Sequence, residues 1–302
     1  MVPTAIGRGL MSGTITAGVD GTDHSLAAAV WAAAEARRRD AELRLVHAWI
    51  WRPLDLPIAA DADTQERWAH DLLRAAESRV AAAEPGVPLS AHVLPDDAVP
   101  ALVDETRRTG LLVLGSRGHG ALVGYLVGSV ALHVLRQAEG PVVLVRDPGE
   151  ADEEPSPAPD EVVVGVDAVA EDAGPVLEFA FAAARTRGAR LRAVRAWSLP
   201  PVFAWSPGSL HLADEAGGFE PLEKRRLAEA LLPWRRAYPD VEVAEHVEMG
   251  SGAQVLLSAG GRAALLVVGR RTAGPHGLQR VGHVTHAVLH HASCPVAVVP
   301  HP

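Results

Sequence analysis

The sequence predicts an α/β protein built from two copies of one domain, each with a parallel β-sheet. Three observations predict this fold class. The chain has 302 residues, about twice the usual size of a single domain. Segments near the start and near the end of its first half recur in its second half. Within each half, short apolar runs alternate with longer stretches of helical periodicity, which is typical of βαβ units.

The repeat extends over most of each half. TAGVDGTDHSLAAAVWAAAEARRRDAELRLVHAW, from Thr16, corresponds to VVGVDAVAEDAGPVLEFAFAAARTRGARLRAVRAW, from Val163. LLVLGSRGHGALVGYLVGSVALHVLRQAEGPVVLV, from Leu111, corresponds to LLVVGRRTAGPHGLQRVGHVTHAVLHHASCPVAVV, from Leu265. An acidic, proline-containing segment from Asp147, DPGEADEEPSPAPDE, separates the halves and opposes core formation. We therefore expect domains over 13–147 and 161–302, a linker over 148–160, and a disordered or alternative-start tail over 1–12.

The elements of the first half follow in chain order. Its apolar runs predict strands near Thr14–Val19, Leu43–His47, Ser90–Val93, Leu111–Leu114 and Val142–Val145. The first helix is predicted from apolar residues at helical spacing, namely Leu26, Val30, Trp31 and Ala34. Its basic end, Arg37–Arg39, suits the negative end of a helix dipole.

Composition limits the possible functions. A formal net charge of -9 argues against a broad surface for nucleic acid or anionic membrane, because both need clustered Lys and Arg. No apolar run reaches the length of a membrane span, and the first residues contain no signal-peptide core, so we expect a cytoplasmic protein. Cys294 is the single cysteine, and we expect it to be a buried structural residue.

A glycine-rich segment, GSRGHGALVGYLVGSV, begins at Gly115 after the fourth predicted strand. Glycines let a backbone turn tightly and approach a ligand closely. A helix is predicted to begin near Gly128–Ser129, and its first N–H groups and positive dipole end favour an anion there. The segment therefore indicates a phosphate site, although a simple strand-to-helix turn would also use glycine.

The end of the first strand should lie beside this loop, because ligands of open parallel sheets bind at carboxyl strand ends where the strand order reverses. That end carries Gly18, Asp20, Gly21 and Thr22. Asp20 could contact a ribose, a base or a metal ion, and capping of the first helix is the structural alternative. Two convergent segments favour a nucleotide site over a turn alone.

The pattern Gly-x-x-Gly, nine residues, Gly-Ser, with GVDG far upstream, resembles the ATP-binding universal stress protein family. Each half is similar to one family domain. The resemblance implies Rossmann-like domains of the adenine nucleotide alpha hydrolase type, each with a five-stranded parallel sheet of order 3-2-1-4-5 and helices on both faces. It implies adenine near the first and second strand ends, and ATP, with Mg²⁺ as a candidate companion. The implied contacts are Gly18, Asp20, Gly115, Ser116, Arg117, Gly118, His119, Gly120, Gly128, Ser129 and Val130.

The resemblance also implies a role, in which ATP changes the stability, oligomeric state or protein partner of a stress-response module. In this family the last strand commonly pairs domains, so Val142–Val145 and Val296–Val299 are candidate contacts of a homodimer. The sequence has no Walker motif and no Lys near the glycine loop. We therefore assign no catalytic residue, and slow ATP hydrolysis is the most that this pattern allows.

The second half departs from the pattern at positions that would bind phosphate. Gly269 is retained, but Thr272 replaces the second glycine and Gly282-His283 replaces Gly-Ser. A Thr Cβ can block close backbone approach, whereas His283 could still donate a hydrogen bond. The neighbouring pair Arg270-Arg271 could contact phosphate or form a solvated surface pair. We expect the second site to be empty of ATP or to bind it much more weakly.

Other functions are open at this point. A scaffold of the same fold would use the tandem domains for protein contacts alone. A dinucleotide-dependent oxidoreductase is disfavoured, because Gly118-His119-Gly120 follows the fourth strand and not the first. The histidines His283, His286 and His290 share a helical face and could bind a metal, but no Cys, Asp or Glu nearby completes the set. Trp49 and Trp197 end the second strand of each half, where packing is favoured over cofactor stacking.

Overall fold

The computed structural model describes residues 13–50, 62–116, 127–146, 161–167, 173–198, 218–272 and 281–302. Four residues of the predicted phosphate loop, Arg117, Gly118, His119 and Gly120, lie outside this part of the chain. The predicted tail and linker lie outside it as well. The chain divides into two compact units, called the first and second domains, whose described residues run over 13–146 and 161–302.

The first domain alternates strands and helices. Its strands are β1 (Ile15–Gly18), β2 (Leu43–Ala48), β3 (Leu89–Leu94), β4 (Leu111–Gly115) and β5 (Val142–Val145). Its helices are α1 (Asp23–Arg39), α2 (Ala62–Ala83), α3 (Ala98–Arg108) and α4 (Ser129–Gln137). The strands pair in parallel in the order β3-β2-β1-β4-β5, which confirms the predicted order 3-2-1-4-5. β5 is buried along its whole length, as expected for an apolar strand covered on both faces.

The second domain repeats this topology. Its strands are β6 (Glu161–Gly165), β7 (Arg190–Trp197), β8 (Val243–Met249), β9 (Leu265–Arg271) and β10 (Val296–His301). Its helices are α5 (Gly174–Arg187), α6 (Glu220–Ala237), α7 (Gly252–Gly260) and α8 (His283–His291). The parallel order is β8-β7-β6-β9-β10, so the sequence repeat is a repeat of fold. None of the helices in the described ranges is long and apolar enough to cross a membrane.

Helices cover both faces of the first sheet. A Cβ built on Gly18 would lie 3.2 Å from the Leu102 side chain on α3. A Cβ on Gly115 would lie 2.6 Å from the carbonyl oxygen of His24 on α1. Gly18 pairs with Leu114, and successive residues of a strand face opposite sides, so α1 and α3 lie on opposite faces. α2 packs beside α1, and α4 packs beside α3.

Local caps determine where α1 begins and ends. Thr22 is the N-cap, and its Oγ1 accepts a hydrogen bond from the Ser25 N–H at 3.3 Å. At the other end, Asp40 adopts the left-handed conformation with φ 52. The next residue, Ala41, donates its N–H to the carbonyl oxygen of Ala36 at 2.9 Å, which completes the turn that ends the helix.

The buried apolar face of α1 is made of small residues. The four residues on which the helix was predicted, Leu26, Val30, Trp31 and Ala34, are only half-buried. The fully buried apolar positions are the alanines Ala28, Ala29, Ala32, Ala33 and Ala36. Glu35 is fully buried as well, and its Oε1 lies 2.6 Å from Arg39 Nη2. Small side chains allow the helix to approach the sheet closely, which brings the start of α1 against the end of β4.

Candidate functional site

A cleft opens at the carboxyl ends of β1 and β4 in the first domain, with a volume of about 210 Å³. Six of the predicted ligand contacts line it, namely Gly18, Asp20, Gly115, Gly128, Ser129 and Val130. They come from three separate segments, the end of β1, the end of β4 and the start of α4. The structure thus brings these segments together where the strand order reverses, the usual ligand position in an open parallel sheet.

Gly115 is pressed against the start of α1. A Cβ at this position would lie 2.6 Å from the carbonyl oxygen of His24 and 2.8 Å from the backbone nitrogen of Ser25. Both are backbone atoms, so neither can move without displacing the helix. Glycine is therefore required here by the packing of strand against helix, whether or not a ligand is bound.

Asp20 is exposed and belongs to the turn that starts α1. Its Oδ1 accepts hydrogen bonds from the Thr22 N–H at 3.1 Å and from the Thr22 hydroxyl at 2.6 Å. Thr22 is the N-cap, so Asp20 supports the cap without being the cap itself. Its carboxylate still lines the cleft, and oxygen ligands of this kind are preferred by Mg²⁺. The two roles that the sequence left open for Asp20 are therefore compatible.

The start of α4 forms the anion-binding side of the cleft. The N-cap is Gly128, with φ -57 and ψ 147, and the structure shows no capping bond from a side chain of the described residues. Among the described residues, a Cβ on Gly128 would meet nothing within 4 Å, so this side of the backbone is open to a ligand within that part of the chain. The first N–H groups of a helix have no partner within the helix, and its dipole favours negative charge at this end. These features fit a phosphate group.

Ser116 is placed differently from the other predicted contacts. It is buried, and its N–H and hydroxyl both donate to the Val145 carbonyl oxygen, at 2.8 and 3.3 Å. These bonds tie the start of the glycine loop to the end of β5. Ser116 is not among the described residues that line the cleft, so its contact with a ligand stays a prediction.

The family resemblance placed adenine near the end of β2, but sequence reasoning named none of the residues by which β2 and α3 line the cleft. The cleft residues from these elements are Val46, His47, Ala48, Ala98 and Leu102. His47 Nδ1 lies 2.8 Å from the Val19 carbonyl oxygen, so this nitrogen carries the proton and, in the neutral ring, Nε2 is an acceptor. The order 3-2-1-4-5 places β2 beside β1, and that order was the signal from which this wall could have been found.

The second domain has a cleft at the corresponding position, with a larger volume of about 520 Å³. Its wall includes the counterparts of the first motif, namely Gly165, Asp167, Gly269, Gly282, His283 and Val284. The altered motif has therefore not closed the cleft. Thr272, which replaces the second glycine, donates its N–H and its hydroxyl to the His301 carbonyl oxygen at 2.8 and 3.0 Å.

The charges of the second cleft differ from those of the first. Arg195 stands where the first domain has His47, and it is buried with its Nε 2.5 Å from Glu223 Oε2 on α6. Its Nη1 lies 3.8 Å from Asp167 Oδ1. Arg271 approaches the same carboxylate, with Nη2 3.8 Å from Asp167 Oδ2. Asp167, the counterpart of Asp20, therefore faces two guanidinium groups.

The neighbouring arginines Arg270 and Arg271 have different environments. Arg271 is exposed and lines the cleft, whereas Arg270 is only 2% exposed. Burial lowers the pKa of Arg270, because desolvation disfavours the charged guanidinium. The interpretation of the two as a solvated surface pair is therefore wrong for Arg270.

The remaining candidate residues have the following surroundings. The Trp197 ring lies 6.2 Å from the Phe219 ring and also lines the second cleft. Trp49 is half-buried, and Cys294 is buried as predicted. The rings of His286 and His290 lie 4.4 Å apart. In the described part of the chain, no three His, Cys, Asp or Glu side chains form a group that could hold a metal ion.

Comparison with known proteins assigns both domains to one family. The profile of the Universal stress protein family matches residues 11–146 and 159–300. The chain belongs to the universal stress protein family. A universal stress protein of Mycobacterium tuberculosis is 33% identical over 292 residues, with 94% of this chain and 95% of the relative covered. Another, from Mycobacterium bovis, is 32% identical over 314 residues, with 94% of each chain covered.

A solved structure supports the same fold. The crystal structure of a universal stress protein from Archaeoglobus fulgidus matches with a TM-score of 0.69 at 18% identity, covering 95% of this chain and 98% of that one. At 18% identity, this similarity is evidence for a shared fold alone. The predicted family and the predicted α/β fold class are both confirmed.

Proposed function

We propose that the first domain binds ATP and that the protein works as a nucleotide-dependent regulatory module in the stress response. The observation that supports this best is the shared cleft of Gly18, Asp20 and the open start of α4. It combines a close-approach backbone, a carboxylate and a helix N-terminus at the reversal point of the sheet. These three features together fit a nucleotide better than they fit a plain turn.

In this proposal the phosphates lie against the N–H groups at the start of α4, beside Gly128 and Ser129. Asp20 lies on the adenosine side, where its carboxylate can accept from a ribose hydroxyl or bind Mg²⁺. The adenine lies at the ends of β1 and β2, next to Ala48. A volume of about 210 Å³ is below the range of roughly 300–1,000 Å³ for enclosing ligand pockets. The described wall would therefore enclose only part of the nucleotide.

Binding is the proposed output of this site. The described lining of the first cleft contains no Lys or Arg, and the predicted contact Arg117 lies outside the described residues. Mg²⁺, when bound, would add positive charge beside the phosphates. A ligand that binds only the folded state stabilises it by mass action. ATP would thereby change the stability of the first domain, and a partner could respond to that change.

The test replaces the N-cap glycine of α4 by Asp. Gly128→Asp places a carboxylate where the phosphates are proposed to lie, and a Cβ there meets no atom of the described residues within 4 Å. Asp is also a better N-cap than Gly in many helices, so the fold is not expected to lose stability. The matched control is Gly282→Asp, since Gly282 is the open N-cap of α8 in the second domain.

Calorimetry and thermal unfolding with ATP and Mg²⁺ are the measurements. We expect wild type and Gly282→Asp to bind ATP at the first site and to gain thermal stability, and Gly128→Asp to lose both effects. A wild-type protein that binds no ATP would favour a scaffold of the same fold and would overturn the proposal. Equal ATP affinity of Gly128→Asp and wild type would show that the phosphates do not lie at the start of α4.

A further inference from the structure

The second cleft has the size and lining of a binding site with a different ligand. Its volume of about 520 Å³ falls within the range of small-molecule pockets. One part of its wall is apolar, formed by Val166, Val176, Leu256, Val268 and Val284. Another part carries Arg195 and Arg271, two arginines that the described lining of the first cleft does not match. We propose that this cleft binds a planar organic anion in place of ATP.

The aromatic part of the site is Trp197, at the end of β7. Its side chain lines the cleft, and its Nε1 is buried with no hydrogen-bond partner in the described part of the chain. Since Nε1 has almost no accessible surface, a ligand in the cleft would contact the apolar surface of the indole and not this N–H. The indole face also suits a flat ring, because offset stacking adds to the gain from apolar burial.

The anionic group of the ligand is recognised by Arg271. Its Nη2 lies 3.8 Å from Asp167 Oδ2, which is too long for a hydrogen bond, so its guanidinium can turn to a carboxylate or phosphate. The surrounding network contains Arg195, Asp167, Glu223 and Arg226, with Arg226 Nη1 2.8 Å from Glu223 Oε1. Among the described residues, three guanidinium groups thus lie around two carboxylates, a positive excess beside the cleft.

The start of α8 adds to this preference for an anion. Its N-cap is Gly282, and no side chain in the described part of the chain forms a capping bond there. His283, in the first turn, lines the cleft and can donate a hydrogen bond. The helix dipole favours negative charge at the same end.

The same residues disfavour ATP with Mg²⁺. Thr272 directs its N–H to His301, so this N–H is not available to a phosphate. Asp167 lies between two guanidinium groups, and their charge opposes the binding of a divalent cation at its carboxylate. The motif changes of the second domain therefore alter the ligand class and do not merely remove a site.

The test measures binding of two ring anions to the full chain, AMP for the phosphate group and 4-hydroxybenzoate for the carboxylate. Calorimetry and tryptophan fluorescence are recorded for wild type, Arg271→Gln, Arg271→Lys and Trp197→Phe. Arg225→Gln is the matched control, because Arg225 is exposed and does not line the cleft. Inorganic phosphate and ATP with Mg²⁺ are the competitors.

We expect at least one ring anion to bind, and Arg271→Gln to weaken it by about tenfold or more while Arg225→Gln leaves it unchanged. The affinity of Arg271→Lys should lie between those of wild type and Arg271→Gln, because lysine keeps the positive charge but lacks the planar, bidentate guanidinium group. Trp197→Phe should weaken binding and reduce the fluorescence change. The probe that binds identifies the anionic group. The proposal would be overturned if neither probe bound, or if Arg271→Gln and Arg225→Gln had equal effects on binding. It would also be overturned if inorganic phosphate bound as tightly as the ring anions, or if ATP with Mg²⁺ bound more tightly than they do at this cleft.

Discussion

Asp20 Oδ1 accepts hydrogen bonds from both the N–H and the hydroxyl of Thr22, at 3.1 and 2.6 Å. Thr22 in turn caps α1, and the Ser25 hydroxyl donates to the Thr22 carbonyl oxygen at 2.8 Å. The Asp20 carboxylate therefore has a structural role in the turn, in addition to its proposed role in ligand binding. Asparagine separates them, because its amide oxygen can accept the same two bonds while the negative charge is lost.

We expect Asp20→Asn to keep the thermal stability of the protein without ligand and to weaken ATP binding in the presence of Mg²⁺ by about tenfold, since it removes a charged oxygen ligand. Asp20→Ala should lose that affinity and also about 1 kcal/mol of unfolding free energy, because the turn that holds the cap is lost. Calorimetry with Mg²⁺ and with a chelator, beside urea unfolding, checks both. Full Mg²⁺-dependent affinity in Asp20→Asn would contradict a ligand role.

Gly115→Ala should destabilise the first domain even without ligand. The added Cβ would lie 2.6 Å from the His24 carbonyl oxygen, and backbone must move to relieve the contact. Overpacking of this kind costs about 1–3 kcal/mol. The control is Gly269→Ala in the second domain, where the nearest atoms, at 2.8 Å, belong to the His301 ring and can shift. Thermal unfolding should show a larger loss for Gly115→Ala, and equal losses would count against backbone contact as the cause.

The sequence predicted the strands well because their signal is local. Val142–Val145 is observed with the predicted bounds, and the strand expected at Ser90–Val93 extends to Leu89–Leu94. A short apolar run between turn-forming residues is a property of the run itself. The order of the strands is not local, and it was available only through the family resemblance.

The side chains around the clefts could not be predicted in the same way. His47 could be identified as a cleft residue only once β2 was known to lie beside β1. Its hydrogen bond to the Val19 carbonyl oxygen depends on that pairing. Ser116 and Arg270 occupy matching positions in a motif that indicated ligand contact, yet both are buried. Whether a residue after a strand turns toward the cleft or into the core depends on tertiary packing, which spacing alone does not encode.

Asp40→Gly should stabilise the protein. Asp40 ends α1 with φ 52, a conformation that glycine adopts more easily than other residues. The matching end of α5 already uses Gly188, with φ 60. We expect a gain of about 0.5–1 kcal/mol for Asp40→Gly and a loss of similar size for Gly188→Asp, measured by urea unfolding. A gain in both variants, or a loss in both, would show that conformational strain is not the cause.

Glu178→Gln should stabilise the second domain at neutral pH. Glu178 lies on α5 and is 4% exposed, and burial raises the pKa of its carboxyl group. Burial also raises the pKa of Tyr238, an effect that the charge of Glu178 adds to and that of Arg185 opposes. The Arg185 guanidinium lies 4.8 Å from the centre of the Tyr238 ring, so the charges of this cluster are close together.

The sign of the pH effect follows from the raised pKa. The folded protein binds this proton more tightly than the unfolded chain, whose Glu pKa is about 4.3. The stability due to the group is complete below that value and is lost as pH rises through the folded pKa. Glu178→Gln should therefore raise the midpoint of thermal unfolding at pH 7, and the gain should shrink to nothing as pH falls below about 4. Glu229→Gln, at an exposed position of α6, is the control and should show no such trend. A lower midpoint at pH 7 for Glu178→Gln would mean that the ionised carboxylate stabilises the fold, contrary to the burial argument.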